Sequence, residues 1–287
     1  MKLASLLVLI ALLVASFRPV YALDCGKASL KVEKLICATP ELKKADKAMS
    51  AVYFKLLRQT EDPEFHDALM RSQRRWIEAR SRGVPRIDGV EGEGIEPDDR
   101  KVLIQITRDR LDFLNGTKPI RVMEQQRKIA SEDGGAPFAG YEADSCEFLP
   151  SHYSNWGYNC WITTHRQHAD RICSVMQDWA SGHSTEHRLV SVVNNGEPKP
   201  VASCYTGYAG LTCPDPENIA MIGPAAHWNT NPHPSTFDLR PPRASSLWKY
   251  DPDGPGSGAD EPWVRECLFA RTYPPPELSR PDPIPEK

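Results

Sequence analysis

The chain has 287 residues, of which 40% are hydrophobic and 25% charged, and its formal net charge is −3 at pH 7. This length is enough for two domains, and the charge is divided unevenly: residues 23–131 carry about +4 and residues 132–287 about −9. The basic half has no dense run of Lys and Arg, which argues against nucleic-acid binding, whereas the acidic half would attract a cationic partner over long range.

The first 22 residues have the three-part layout of a secretory signal peptide. Met1-Lys2 supplies a positive charge, an apolar run follows over residues 3–14, and Val20-Tyr21-Ala22 places small residues before a cleavage site. The apolar run is too short to cross about 30 Å of hydrocarbon, which takes roughly 20 residues. We therefore expect export, a mature chain that starts at Leu23 without a membrane span, and a periplasmic or secreted location.

Eight cysteines lie after the signal peptide, and an even number in an exported chain predicts a disulfide framework. The competing interpretation is a metal site, which is disfavoured because no Cys-x-x-Cys pair occurs and the spacings suit no common zinc module. The cysteines are Cys25, Cys37, Cys146, Cys160, Cys173, Cys204, Cys213 and Cys267.

Residues 23–118 have the apolar periodicity of a small helical domain. The first long helix is predicted to begin at Thr39-Pro40, where apolar residues start to recur at three- and four-residue spacing. A second begins at residue 62 and is expected to stop before Gly83 and Pro85. A third runs from about residue 97 to the Asn115-Gly116 cap signal. A short helix over 120–130 begins the 119–137 segment that links this domain to the rest.

Aromatic and charged residues on these helices are expected to be structural. Trp76 and Tyr53 lie on the apolar stripes and are predicted to anchor the core. Charged helix faces are usually solvated or paired locally. A network is therefore expected among Gln73, Arg74 and Arg80 with Glu33 or Asp46.

The motifs of this region occur in one order: Asp24-Cys25-Gly26-Lys27-Ala28, Val32-Glu33-Lys34-Leu35-Ile36-Cys37, Pro40-Glu41-Leu42, Asp46, Tyr53, and Ser72-Gln73-Arg74-Arg75-Trp76-Ile77-Glu78-Ala79-Arg80. They resemble the N-terminal domain of the lysozyme inhibitor LprI family over about residues 24–115. That family has a Cys, a Glu-Lys-x-Ile-Cys segment, a Pro-x-Leu helix start and a Gln-Arg-x-Trp-x-x-x-Arg helix. The resemblance implies an envelope location, an all-helical fold and, for some members, inhibition of lysozyme.

The chain departs from the family pattern at two positions. The family usually has a third cysteine soon after the Trp-x-x-x-Arg segment and a fourth opening the next helix. Here those places fall at residues 81–83 and 101–103, and neither contains a cysteine. Both are missing together, as loss of one whole disulfide would produce, which leaves Cys25–Cys37 as the pair expected in this domain.

Residues 138–273 carry no family signature and are predicted to form a small, disulfide-stapled α+β domain. A helix is expected from Thr163 or Thr164 to Gly182, with Cys173 inside it. Residues 188–193 and 201–205 flank an Asn-Asn-Gly-Glu turn, which predicts a hairpin with Cys204 on its second strand. Another strand is expected near Cys160, and residues 263–273 are expected to form a closing strand.

Long loops are predicted over residues 214–242 and 251–262, and a disordered Pro-rich tail over 274–287. The six cysteines of this domain allow many pairings, and their spacing does not choose among them.

Histidines provide the two candidate metal sites. His183-Ser184-Thr185-Glu186-His187 matches the His-x-x-Glu-His string of inverted zinc peptidases, in which one helix presents both histidines and the glutamate activates water. A predicted helix ends at Gly182 and a strand follows, so a surface turn is the better interpretation. His165 and His168 have no carboxylate or cysteine companion at fixed spacing, which favours solvated residues over ligands.

These patterns favour a protein-binding module, an inhibitor of lysozyme or another wall-degrading enzyme that acts by steric blockade and needs no cofactor, metal or catalytic residue. Its partner would be a protein outside the cytoplasm. Two alternatives stay open: an envelope hydrolase with its site in the C-terminal domain, with zinc at His183 and His187, or a toxin-neutralising partner protein.

Overall fold

The computed structural model describes residues 23–87, 99–132, 136–152, 155–180, 183–206, 212–232, 239–254 and 262–282. The signal peptide predicted over residues 1–22 lies outside these ranges.

Helices come first along the chain and strands follow. The helices are α1 (Lys31–Ala38), α2 (Pro40–Gln59), α3 (Pro63–Ile87), α4 (Asp99–Asn115) and α5 (Lys118–Glu132). The main strands are β1 (Gly140–His152), β2 (Asn155–His168), β3 (Arg171–Ala180), β4 (His183–Asn194) and β5 (Glu197–Thr206). Shorter elements complete the fold: α6 (Pro216–Ile222), β6 (Trp228–Asn229), α7 (Pro262–Phe269) and β7 (Ser279–Arg280).

The predicted helices of the N-terminal region are confirmed, and their starts have local causes. Proline occupies the first position of α2, where its missing N–H costs nothing. The Glu33 carboxylate accepts the backbone N–H groups of Ser29 and Leu30, 2.8 and 3.0 Å away, at the start of α1. The Asp62 carboxylate likewise accepts from the first turn of α3.

Helix α3 runs four residues beyond Gly83, so the predicted stop before Gly83 and Pro85 is wrong. Its last turns pack on β1. A Cβ at Gly83 would lie 3.5 Å from the Phe148 ring, and the Arg82 guanidinium donates to the Cys146 carbonyl at 2.9 Å. These contacts between distant parts of the chain override the poor helix propensity of Gly and Pro.

Strands β1 to β5 form an antiparallel meander in chain order. The predicted β4–β5 hairpin is confirmed. Its turn residues Asn195 and Gly196 have φ values of 53° and 81°, as a two-residue type I′ turn requires. The strand predicted near Cys160 is confirmed as β2, and β6 adds to the free edge of β5.

The helix predicted from Thr163 or Thr164 to Gly182 is wrong. This segment forms the end of β2, a tight turn at Ala169-Asp170, and β3. Four successive residues of β3 are buried, so both faces of the strand are covered: Ile172, Cys173, Ser174 and Val175. A strand buried on both faces lacks apolar alternation, and its pattern is then hard to distinguish from that of a buried helix.

The closing strand predicted over residues 263–273 is also wrong, because residues 262–269 form α7. Proline opens this helix, and its buried residues recur at helical spacing: Trp263, Val264, Cys267 and Leu268. Beyond it, β7 pairs in parallel with β6, so residues 274–282 of the expected tail include an ordered turn and strand. Residues 283–287 lie outside the described ranges.

Four disulfides join the cysteines. Cys25–Cys37 ties the N-terminal segment to α1, and Cys146–Cys160 crosses from β1 to β2. Cys173–Cys267 holds α7 on β3, and Cys204–Cys213 joins β5 to residue 213.

The hydrophobic core is continuous between the helices and part of the sheet. Its buried residues include apolar side chains of α1 to α5 together with Phe148 of β1, Trp156 of β2 and Tyr250. A separate hydrophobic cluster lies between strands β3 to β5 and helix α7. It contains two of the four disulfides, Cys173–Cys267 and Cys204–Cys213. The β1–β2 hairpin therefore packs with the helices, whereas the rest of the sheet has its own core.

Candidate functional site

Four charged side chains, three of them buried and Arg75 17% exposed, meet where residues 251–253 contact the helices. Arg75 of α3 contacts the Asp251 carboxylate through both terminal nitrogens, at 2.7 and 2.5 Å, and also Asp253 at 2.8 Å. Arg110 of α4 contacts Asp253 at 3.2 Å. The two carboxylates are only 1% and 3% exposed. Two positive and two negative charges therefore balance each other in the interior.

Neutral groups complete the coordination of Asp253. The Ser72 hydroxyl donates to its carboxylate at 2.7 Å, and the Tyr158 hydroxyl of β2 donates at 3.4 Å. Arg110 in turn donates to Ser72 Oγ at 2.6 Å and to Gln73 Oε1 at 3.1 Å. A single network thus joins α3, α4, β2 and the 251–253 turn.

Residues 248–254 are bound to the helices much as an extended peptide would be. The Gln126 side chain of α5 exchanges two hydrogen bonds with the backbone of Asp251, at 2.8 and 2.9 Å. Arg71 donates to the Tyr250 carbonyl at 3.3 Å, and its guanidinium lies 3.9 Å from the centre of the Trp248 ring. Backbone contacts and side-chain anchors together fix this segment in one register.

The pKa values of the two carboxyl groups in this cluster are shifted in opposite directions. Burial would raise the pKa of Asp253, but Arg110 and Arg75 outweigh that effect and lower it. Burial and the adjacent Asp253 charge raise the pKa of Asp251. Perturbed carboxyl groups are common at catalytic sites. Here, however, each charge is already bound by its partner and excluded from solvent, so the cluster fastens two parts of the chain together.

The residues that carry the motif resemblance are structural. Trp76 and Tyr53 are 1% and 2% exposed, which confirms that they anchor the core. Arg80 pairs with Asp46 at 2.7 Å and lies 4.8 Å from the centre of the Trp76 ring, so one pair of the expected network is present. Gln73 is also buried and donates to the Met49 sulfur at 3.1 Å.

An aromatic cleft of about 410 Å³ opens between α4 and the β1–β2 hairpin. Its walls include Phe113, Phe148, Trp156 and Tyr158, and its polar groups include Asp109 and Lys118. Burial raises the pKa of Asp109. The volume is within the range of small-molecule sites.

A larger cleft of about 720 Å³ lies between α5, β2 and residues 244–250. Arg127 and Lys249 line it, but each is already paired: Arg127 with Asp62, and Lys249 with Glu64 at 2.6 Å. Among the described residues that line the two pockets, no nucleophile, base and oxyanion donor are arranged as a reaction would require.

The histidines of the two candidate metal sites lie on strands. His183 begins β4 and His187 follows four residues later, beside the Tyr205 ring with the ring centres 4.4 Å apart. His165 is buried in β2 with Nδ1 2.7 Å from Ser174 Oγ, whereas His168 is exposed beside Phe269. In the ranges that the structure describes, no three His, Cys, Asp or Glu residues are grouped closely enough to hold a metal ion.

Comparison with protein-family models finds a match in the N-terminal region. Residues 25–114 match the family described as lysozyme inhibitor LprI. The N-terminal helical region is LprI-like. The matched residues extend from Cys25 to the end of α4 and so include the Cys25–Cys37 disulfide and the Trp76–Arg80–Asp46 contacts. The predicted resemblance is thereby confirmed for about a third of the chain.

No curated protein and no solved structure matches the chain. The LprI-like region is thus the part of the chain that the comparisons assign. The helices in the described part of the chain include none long and apolar enough to span a membrane.

The charged cluster was missed at the level of sequence because Asp251 and Asp253 fall where a loop was predicted. The Asp-Pro-Asp-Gly turn follows Trp248 and Tyr250 directly. Two large aromatic residues immediately before the predicted loop are a local sign that this segment packs against something.

Proposed function

We propose that this protein acts outside the cytoplasm as a protein-binding inhibitor of lysozyme or another wall-degrading enzyme. The match of residues 25–114 to the LprI family carries the proposal. The helices, their core and the Cys25–Cys37 bridge form the framework on which such binding would depend. Inhibition would be steric, since a bound protein that covers the enzyme's substrate cleft needs no chemistry of its own.

Export supports the same function. Four disulfides and no free cysteine among the described residues suit an oxidising compartment. We propose that residues 1–22 are removed as a signal peptide and that the mature protein is periplasmic or secreted. Lysozymes are commonly cationic, so the net charge of about −9 over residues 132–287 would speed encounter with such an enzyme.

The experiment is an inhibition assay with the purified chain from Leu23 onward. The protein should slow lysis of bacterial walls by lysozyme, and the effect should weaken at high salt because exposed charges are screened. A parallel assay with a short soluble oligosaccharide separates two mechanisms. Steric blockade of the enzyme slows cleavage of both substrates, whereas coating of the wall protects the wall alone.

Complex formation provides the matched binding measurement. Size-exclusion chromatography or calorimetry should detect a complex with the same enzyme at the concentrations that inhibit it. Unchanged lysis and no complex at excess protein would refute the proposal.

A further inference from the structure

The outward face of α2 has a basic stripe, with three cations near its start and two near its end. At 3.6 residues per turn, its five cations fall within roughly a third of the helix circumference and extend over about 22 Å. All five are exposed: Lys43, Lys44, Lys47, Lys55 and Arg58. Acidic and apolar residues lie among them in the sequence, so no dense run reveals them before the helix is built.

These cations are not neutralised by neighbouring carboxylates. The described residues provide no ion pair or hydrogen-bond partner for their side-chain nitrogens. The two acidic residues of α2 are engaged elsewhere: Asp46 is buried against Arg80, and Glu41 pairs with Arg108 at 2.5 Å. The stripe therefore presents uncompensated positive charge to its surroundings.

The opposite face of α2 is unavailable for insertion into lipid. Its apolar residues are part of the hydrophobic core, among them Leu42, Met49, Tyr53 and Leu56. Within the arc of the cations, α2 also has the small side chain of Ala51 and the half-buried ring of Phe54, which packs against the core. Such a helix can lie on an anionic surface but cannot bury an apolar face in it.

We propose that the basic stripe of α2 adsorbs the protein to an anionic phospholipid surface. A straight, rigid row of several Lys and Arg residues suits a plane of headgroup phosphates, and each such residue near an anionic leaflet contributes about a fivefold gain in binding. The acidic C-terminal region opposes this attraction only weakly, because charges farther away than about 8–10 Å are largely screened at physiological ionic strength.

The test is vesicle co-sedimentation with the chain from Leu23 onward, which removes the apolar N-terminal run as a separate source of lipid binding. Vesicles of phosphatidylglycerol and phosphatidylcholine in equal parts are compared with pure phosphatidylcholine. The protein should bind the anionic vesicles at low ionic strength, bind less in added salt and leave neutral vesicles unbound.

A triple variant, Lys44→Gln/Lys47→Gln/Lys55→Gln, should lose on the order of 100-fold in binding to the anionic vesicles. Its matched control removes three exposed cations from α4 and α5, Lys101→Gln/Arg121→Gln/Lys128→Gln, and should change binding by less than about threefold. Both variants have the same net charge, and their circular dichroism and melting temperatures should match the parent protein, since the replaced side chains are exposed.

Three results would overturn the proposal. Equal losses in the two variants would mean that net charge alone drives adsorption. Equal binding to neutral vesicles would mean that the contact is not electrostatic. Binding to a soluble polyanion such as heparin, without binding to vesicles, would assign the stripe to a different partner. None of these results bears on lysozyme inhibition, which is measured without lipid.

Discussion

The LprI-like region and the sheet region are stabilised in different ways. In residues 25–114, long amphipathic helices bury a broad core, and one disulfide closes a short segment at the edge. Beyond residue 136, one hairpin joins that core, and the remaining strands have a smaller one that contains two disulfides. Where secondary structure buries less apolar surface, covalent links contribute more of the stability.

The two regions also differ in how far apart along the chain their contacting residues lie. Helices α2 to α4 contact one another, whereas the segment 248–254 depends on partners more than 120 residues away. The Arg75–Asp251 and Arg110–Asp253 contacts join the two regions, so their stabilities should be coupled. Three perturbations test this comparison, in order of decreasing effect.

The largest effect is expected from the disulfide that holds α7 on β3. Cys173 and Cys267 are 94 residues apart, so in the chain-entropy model their bond contributes about 4.7 kcal/mol, against about 3 kcal/mol for Cys25–Cys37, whose cysteines are 12 apart. Urea unfolding of Cys173→Ala/Cys267→Ala and of Cys25→Ala/Cys37→Ala gives both values. An equal or greater loss in the second variant would contradict the idea that the sheet region relies more on covalent links.

The second perturbation breaks the buried cluster. Asp253→Ala leaves Arg110 with an uncompensated charge in the interior and should lower the free energy of unfolding by about 3–5 kcal/mol. Lys249→Ala is the matched control, because the Lys249–Glu64 pair also joins this segment to α3 but is exposed. Its loss should cost less than about 1 kcal/mol.

Thermal or urea unfolding of both variants measures the contrast. A small effect of Asp253→Ala, similar to that of the control, would show that the two regions are not coupled through this site. Separate transitions in the variant, with a single one in the parent protein, would show that the cluster makes the chain unfold as one unit.

Elements with a local sequence signal could be predicted, whereas elements defined by distant contacts could not. Helix α2 was predictable because Leu42, Met49 and Tyr53 recur at helical spacing on one face only. The β4–β5 hairpin was predictable because Asn195-Gly196 is a strong local turn signal. Strand β3 was not, since burial on both faces removes the alternation that identifies a strand.

The interior charges and the α2 stripe were beyond prediction for a related reason. Asp251 and Arg75 are 176 positions apart in the chain, and no local pattern reveals that they pair. The α2 cations are interspersed with apolar and acidic residues over 16 positions, so their alignment emerges only when the helix places them on one side. The sequence thus predicts local structure well, but it does not predict the contacts that join distant segments.

The smallest expected effect is a pH dependence specific to the sheet region. His165 is 1% exposed, and burial lowers its pKa although Glu142, 3.7 Å from Nε2, acts in the opposite direction. Since an unfolded histidine titrates near pH 6.5, the unfolded chain takes up this proton first as the pH falls. The contribution of His165 to stability is therefore complete above about pH 6.5 and declines below it.

Replacing His165 with Asn removes the titration while keeping a polar group near Ser174 Oγ, which lies 2.7 Å from Nδ1 in the parent protein. Unfolding free energies measured from pH 7 down to pH 5 should fall more steeply for the parent protein than for His165→Asn. The helical region offers the contrast, because its caps Glu33 and Asp62 have lowered pKa values and lose their contribution only below about pH 4.5. Equal slopes for the two proteins would contradict this prediction. They would mean that the charged imidazole donates to an acceptor within the fold, so that the packing around β2 and β3 tolerates a cation.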